Sequence, residues 1–160
     1  MSLNVRTLPD PWMALGIALH FVARREPFSR FPAGELVRTL AGQVHRGHYL
    51  LAFDTSSNPA KVVGYCGWAL YDNAQADRLV TSSEPLPDGL ASGGDVVWML
   101  TAVVEDRAAF HELRRRTRTL YPGHRLMAIR HKAGGRRIVL DRPTVGAPAG
   151  RPDEGGGLLR

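Results

Sequence analysis

The chain has a single cysteine, Cys66. It therefore cannot hold an intramolecular disulfide, which excludes a disulfide-stapled secreted scaffold and leads us to expect a reducing, cytoplasmic compartment. Long hydrophobic runs are also missing. The most apolar stretch, residues 12–23 (WMALGIALHFVA), has Arg6 ahead of it and resembles a signal peptide at first sight. It is too short to span a bilayer, contains His20, and runs into Arg24 and Arg25 instead of a small-residue cleavage site. It reads as a buried helix, and no membrane span is expected. There is no internal repeat, no zinc-ligand spacing and no aromatic platform of the kind that reads RNA. His45-Arg46-Gly47-His48 spaces two histidines three apart. However, the glycine and the helix-to-strand position split them between faces, and structural zinc needs four ligands. Acidic residues are outnumbered, 15 Asp and Glu against 21 Lys and Arg, for a net charge of +6. Such a surface suits an acidic partner: nucleic acid, an anionic membrane or an acidic protein. Charge alone does not choose among them.

What is present suits one domain. A chain of 160 residues with 44% hydrophobic and 22% charged residues is globular in composition and can bury one core. Asp10-Pro11 starts a helix, with a capping carboxylate followed by proline in the first turn. Trp12, Leu15, Leu19 and Val22 then recur at helical spacing, and the helix ends before Pro27. A second helix follows Pro32, with Leu36, Val37, Leu40 and Val44 on one face and Gly47 as its stop. Residues 48–54 and 61–71 read as a strand pair around the Ser56-Ser57-Asn58-Pro59 turn, and 73–80 as a short helix. After a loop over 81–95, the unbroken apolar run 96–104 is a central strand. Asp106 caps a helix over 107–121 that should turn Phe110, Leu113 and Leu120 inward. Two last strands, 124–132 and 136–141, join through Ala133-Gly134-Gly135. The domain is thus expected over 1–145, with 146–160 a disordered Gly/Pro-rich tail.

The predicted order α-α-β-β-(α)-β-α-β-β is an α/β (α+β) arrangement, a mixed, mostly antiparallel sheet flanked by helices. It resembles the GNAT acyltransferase fold, which implies a sheet that opens into a V beside the central strand, with the acyl group in the gap. Four segments carry a closer likeness: YLLAFD at 49–54, VVGYCGWAL at 62–70, SGGDVVW at 92–98 and MAIR at 127–130. In this order and spacing, over roughly residues 12–140, they resemble the RTX-toxin-activating lysine acyltransferases. That resemblance implies transfer of a fatty acyl group from acyl carrier protein to a protein lysine, and it suggests a homodimer.

The chemistry implied needs a base for the lysine ammonium, donors for the developing oxyanion and an apolar slot for the chain. The family places its base histidine in a Ser-Pro-x-His-Arg context. Here the stretch reads Arg25-Glu26-Pro27-Phe28-Ser29-Arg30, with Ser29 at the histidine's place. The family's aspartate, counted from Trp98, falls on Thr101. Both members of the proton-handling pair are replaced. Glu26 is a substitute base if desolvation raises its pKa, and otherwise a solvated loop carboxylate. Ser29 is a nucleophile only with a base beside it, and otherwise a turn residue. His20, on an apolar helix face, is expected to be a satisfied core histidine.

The donor is partly decidable. GNAT enzymes that use coenzyme A cradle its pyrophosphate in a Gly-rich turn after the central strand. Here that turn is Val104-Glu105-Asp106-Arg107-Ala108, without glycine and with two carboxylates. Coenzyme A is disfavoured, no tightly bound cofactor is expected, and an acyl-carrier-protein donor fits. An acidic protein of that kind would be drawn to Arg114, Arg115 and Arg118 on the long helix, together with Arg125, Arg130, Lys132, Arg136 and Arg137, unless these form only a solvated face. Cys66, inside a strand, reads as a buried inert thiol. Gly64 and Gly67 beside it mark a bulge or a close approach, either of an acyl chain or of Trp68. Three functions remain open: an acyltransferase with a noncanonical base, a non-catalytic relative that binds a carrier protein, lipid or protein, and a basic nucleic-acid-binding module.

Overall fold

The computed structural model describes residues 2–81, 93–131 and 137–143, with the backbone alone at 130, 131, 137, 138 and 143. The expected tail at 146–160, most of the loop over 81–95 and the Ala133-Gly134-Gly135 link lie outside the described residues.

Six strands form one sheet in sequence order, β1 (Leu3–Arg6), β2 (Tyr49–Asp54), β3 (Lys61–Tyr71), β4 (Val96–Val104), β5 (Arg125–His131) and β6 (Arg137–Pro143). Every neighbouring pair is antiparallel except β4 with β5, which is parallel. The crossover between that pair is the long helix, as a parallel connection requires. Four helices complete the chain: α1 (Pro11–Val22), α2 (Ala33–His45), α3 (Asn73–Thr81) and α4 (Arg107–Leu120). The α+β, GNAT-like architecture inferred from the order of elements is the one observed.

α1 starts where its cap predicts. The Asp10 carboxylate accepts from the amides of Trp12 and Met13 at 2.8 and 3.2 Å, and Pro11 opens the helix. Its buried stripe is Ala14, Ala18, Phe21 and Val22. Trp12, expected inward, is 70% exposed and sets its ring edge-on to His45 at 5.5 Å. α1 is apolar nearly all round, so spacing alone could not choose the stripe, and the alanines allow the closest approach to the sheet. α2 buries Leu36, Leu40 and Val44 as expected, but Val37 is exposed and Gln43 is fully buried. In α4 the stripe is Ala109, Leu113 and Thr117. Phe110 and Leu120, also expected inward, stay exposed. Phe110 lies a helical step of about 100° from Ala109, and Leu120 closes the helix beyond the stripe.

β1 was not expected. Four residues with alternating half-burial give too short a pattern to stand out, and pairing with β2 (Val5 opposite Ala52) holds them in place. The helices divide the sheet's faces. α1 and α2 cover Leu51, Phe53, Tyr65 and Val103, and α3 covers Ala69, Tyr71, Val96, Trp98 and Met127. On the other face α4 packs on Leu50, Ala52, Val63, Cys66, Trp68 and Val97.

Two features of β4 shape the centre of the sheet. Gly67 of β3 pairs Thr101 while Trp68 pairs Met99, so Leu100 is an extra residue that bulges. The ladder to β5 runs only from Val96–Arg125 to Met99–Ala128. Beyond it, among the described residues, β4 continues past the bulged Leu100 from Thr101 to Val104 on β3 alone, and β5 continues to His131 on β6. The sheet therefore opens after Met99.

Candidate functional site

The opening beside β4 is where the fold exposes backbone to an incoming chain. Leu100 to Val104 lack a β5 partner, and Ala102 is exposed. Apolar side chains flank the opening on both faces. Leu140 of β6 stands opposite Ala128, two residues on from Leu126, which packs on the α4 side. Leu140 thus projects to the face that also carries the exposed Phe110 of α4. Leu100 and Ile129 line the α3 face. The arrangement offers apolar contact to an extended hydrocarbon along the free edge of the central strand.

The polar interior of the site is built on Thr101, which is 1% exposed. The Gln43 amide donates to Thr101 Oγ1 at 3.1 Å, and Tyr65 donates its hydroxyl to Gln43 Oε1 at 2.7 Å. One residue each from α2, β3 and β4 thus makes a short buried chain. Burial pushes the Tyr65 hydroxyl well above its ordinary pKa, with smaller effects from Cys66 and Tyr49. Tyr65 is therefore a neutral donor at any ordinary pH. Gly67 makes room for this chain. A Cβ built there would lie 1.9 Å from Gln43 Oε1. The close approach expected at Gly67 is real, but the group that approaches is the Gln43 amide, and neither of the two expected occupants. At Gly64 the tightest neighbour is Leu113 of α4, at 2.9 Å.

Ser29 sits in a short 3-10 turn, Phe28–Arg30, and is exposed. Among the described residues no side chain bonds to its hydroxyl. Glu26, also exposed, pairs with Arg30 at 3.1 Å across one turn. Neither residue touches Thr101. Of the described histidines, His131 lies on the β5 flank of the opening, with its backbone alone described. His20 is exposed and meets Arg24 at 3.4 Å, which corrects the expectation of a core histidine: it lies on the side of α1 opposite the Ala14–Ala18 stripe. His45 meets Trp12, whereas His48 is buried and stacked on Trp68, so the two do not share a face.

The turn after β4 is filled by its own charges. Asp106 caps α4, accepting from the Ala109 amide at 2.8 Å. Glu105 takes ion pairs from Arg25 at 2.6 Å and Lys61 at 2.7 Å, and its amide donates to the Val63 carbonyl. Arg25 is further held by the Phe21 carbonyl and lies over the Phe21 ring.

Cys66 is buried, 3.9 Å from the Thr117 hydroxyl, and burial pushes its thiol up to about 12. It is inert, as its place in the strand implied. The arginines separate. Arg114, Arg115 and Arg118 line one open groove on the outer side of α4. Arg125 does not join them. It pairs with Asp77 at 3.1 Å and Asp141 at 2.8 Å and donates to Asn73, tying α3 and β6 to the start of β5. Arg130 lies on β5 opposite Ile138, and its side chain is outside what the structure describes. Lys132 and Arg136 lie outside the described residues, and Arg137 is described by backbone alone. No described helix is long and apolar enough to cross a membrane.

A mixed sheet opening beside its central strand, with the long helix crossing over to β5, defines a GNAT-like acyltransferase fold. Within that class, the model of the RTX toxin acyltransferase family matches residues 10–144, and the chain belongs to that family. No curated protein matches it.

Gln43 is the site residue that sequence reasoning missed. Its signal was a glutamine in the middle of an otherwise apolar helical stripe (Leu36, Leu40, Val44), where a buried amide needs partners.

Proposed function

We propose that this chain is a binding member of its family: it receives an acylated carrier protein but does not acylate lysine through the family's proton-transfer pair. Family membership supports the acyl donor, and one observation supports the loss of chemistry. The position corresponding to the family's aspartate, Thr101, is a buried neutral hydroxyl already bonded to Gln43. A hydroxyl there cannot hold an imidazolium or accept a proton at neutral pH, and Ser29 offers no imidazole to be held. Glu26 does not replace them, because it is exposed and its carboxylate is paired with Arg30.

The donor in this reading is a carrier protein and not coenzyme A. The N-terminus of α4, where a pyrophosphate would bind, is occupied by the Asp106 carboxylate, and Glu105 stands beside it. The Asp106 carboxylate already takes the amide that a phosphate would use, while Glu105 is spent on Arg25 and Lys61.

The test is incubation with acylated carrier protein and a lysine-bearing acceptor segment, read by intact mass. The reading expects binding of the carrier protein and no mass gain on the acceptor. Acyl transfer to lysine would overturn it in favour of an active acyltransferase with a base of its own. Failure to bind any carrier protein would overturn the donor assignment.

A further inference from the structure

The outer side of α4 carries a groove of about 520 Å³ lined by His111, Arg114, Arg115, Arg118, Thr119 and Pro122. Its lining includes no carboxylate. Arg115 is neutralised by Glu112 through two hydrogen bonds. His111 accepts from Arg107 at 3.1 Å. Arg114 and Arg118, half-buried and one turn apart, have no carboxylate partner among the described residues. The Nε of Arg118 is closed to solvent and makes no hydrogen bond. A half-buried guanidinium without a carboxylate is a charge that an incoming anion compensates at its exposed nitrogens. Elsewhere, half-buried Arg25 and Arg125 have carboxylates of their own, whereas Arg46, at the end of α2, is a lone guanidinium with none among the described residues.

We infer that this groove is the docking surface for an acidic helix of the carrier protein, an inference that rests on the proposed function above. The two uncompensated guanidiniums, Arg114 and Arg118, stand one helical turn apart, about 6 Å along the axis. That length matches carboxylates spaced one turn apart along a partner helix, whereas a lone phosphate would need a closed cradle. The groove is open to solvent, as a protein surface requires. α4 begins at Arg107, just after β4 ends at Val104, so a protein held along α4 lies next to the end of the free strand edge.

The experiment is a binding titration of the full chain with carrier protein in two forms, with and without its phosphopantetheine arm. The variants are Arg114→Glu/Arg118→Glu and, as a control on another side of the same helix with half the charge change, Arg116→Glu. The expected result is binding of both carrier forms that weakens with added salt. Affinity should fall by roughly tenfold or more in the double variant and remain near wild type in Arg116→Glu. Circular dichroism confirms that each variant is folded, and Arg114→Gln/Arg118→Gln gives a milder version of the same loss. Equal binding by wild type and the double variant would overturn the docking surface while leaving the donor assignment in place. Binding that requires the arm and is competed by inorganic phosphate would overturn it in favour of a phosphate site. No binding by the wild type would remove both readings.

Discussion

Gln43 donates its amide to Thr101 across the interface between α2 and the central strand, at 3.1 Å and with both side chains buried. The bond joins the first helical pair to the strand that carries the sheet's opening. Thr101→Val removes the acceptor and leaves a buried amide donor unpaired, at a cost of about 1–3 kcal/mol. In a Tyr65→Phe background, which removes the hydroxyl that donates to Gln43, adding Gln43→Leu to Thr101→Val should then restore part of that stability, because no donor remains to be satisfied. Urea unfolding of the two variants checks the order; a double variant weaker than the single by the full sum would show that the bond is incidental.

Gly67 and Gln43 form a second coupled pair. A methyl at residue 67 would meet Gln43 Oε1 at 1.9 Å, a separation no real contact tolerates. Gly67→Ala should therefore destabilise by about 3 kcal/mol or more, as overpacking or expulsion of the glutamine would. In a Gln43→Ala background the same substitution should cost far less. The difference between the two backgrounds, measured by thermal unfolding, reports the contact directly.

Much of this fold was legible because its segments agree with themselves. Asp10-Pro11 and Asp106 both cap helices that begin where those residues stand. The unbroken run at 96–104 is the central strand, and glycines in β3 do mark close approach. What escaped reading depends on packing partners. β1 is held by its pairing with β2 and by the α4 cluster against Leu3 and Val5, and Trp12 and Phe110 look like core residues until the sheet selects the stripes that begin at Ala14 and Ala109 instead. The site divides in the same way. Ser29 and Thr101 are assigned by resemblance alone, and the bonds that tie Gln43 to Thr101 and to Tyr65 join residues 58 and 22 positions apart, which no local pattern encodes.

If the two replaced positions are what silences lysine acylation, restoring them should restore activity. Ser29→His with Thr101→Asp is expected to transfer an acyl group from carrier protein to lysine where wild type and each single variant do not. Gln43, already aimed at position 101, would donate to the new carboxylate and help keep it ionised. Intact mass of the acceptor segment reads the result. A folded double variant that remains inert while still binding carrier protein would place the missing chemistry elsewhere in the chain.

Arg125 gathers three elements at the closed end of the sheet, pairing with Asp77 and Asp141 and bonding Asn73. Its guanidinium is raised above its ordinary pKa chiefly by the Asp141 bond, so it stays charged throughout the working range. Arg125→Met keeps the stem and removes the fork. Amide exchange should then quicken in α3 and β6 but hardly in α1 or α2, because the lost bonds are local to those elements. Uniform quickening across the chain would mean that Arg125 supports global stability instead.

Cys66 supplies a pH signature of the folded state. Burial raises its thiol to about 12, against an ordinary value near 9. Above pH 9 the unfolded chain releases this proton and the folded chain keeps it, so the unfolded state gains stability as pH rises. The thiol's contribution is therefore whole below pH 9 and is lost by roughly 1 kcal/mol per pH unit between 9 and 12. Other groups also titrate there, so the informative quantity is the difference from Cys66→Ala. That variant begins less stable, having lost packing beside Trp68 and Leu113. It should nevertheless lose stability more slowly than wild type between pH 9 and 10.5, and the two urea midpoints should converge. Parallel decline of both proteins over that range would show that the thiol titrates alike in the folded and unfolded chains, which its burial among these side chains does not permit.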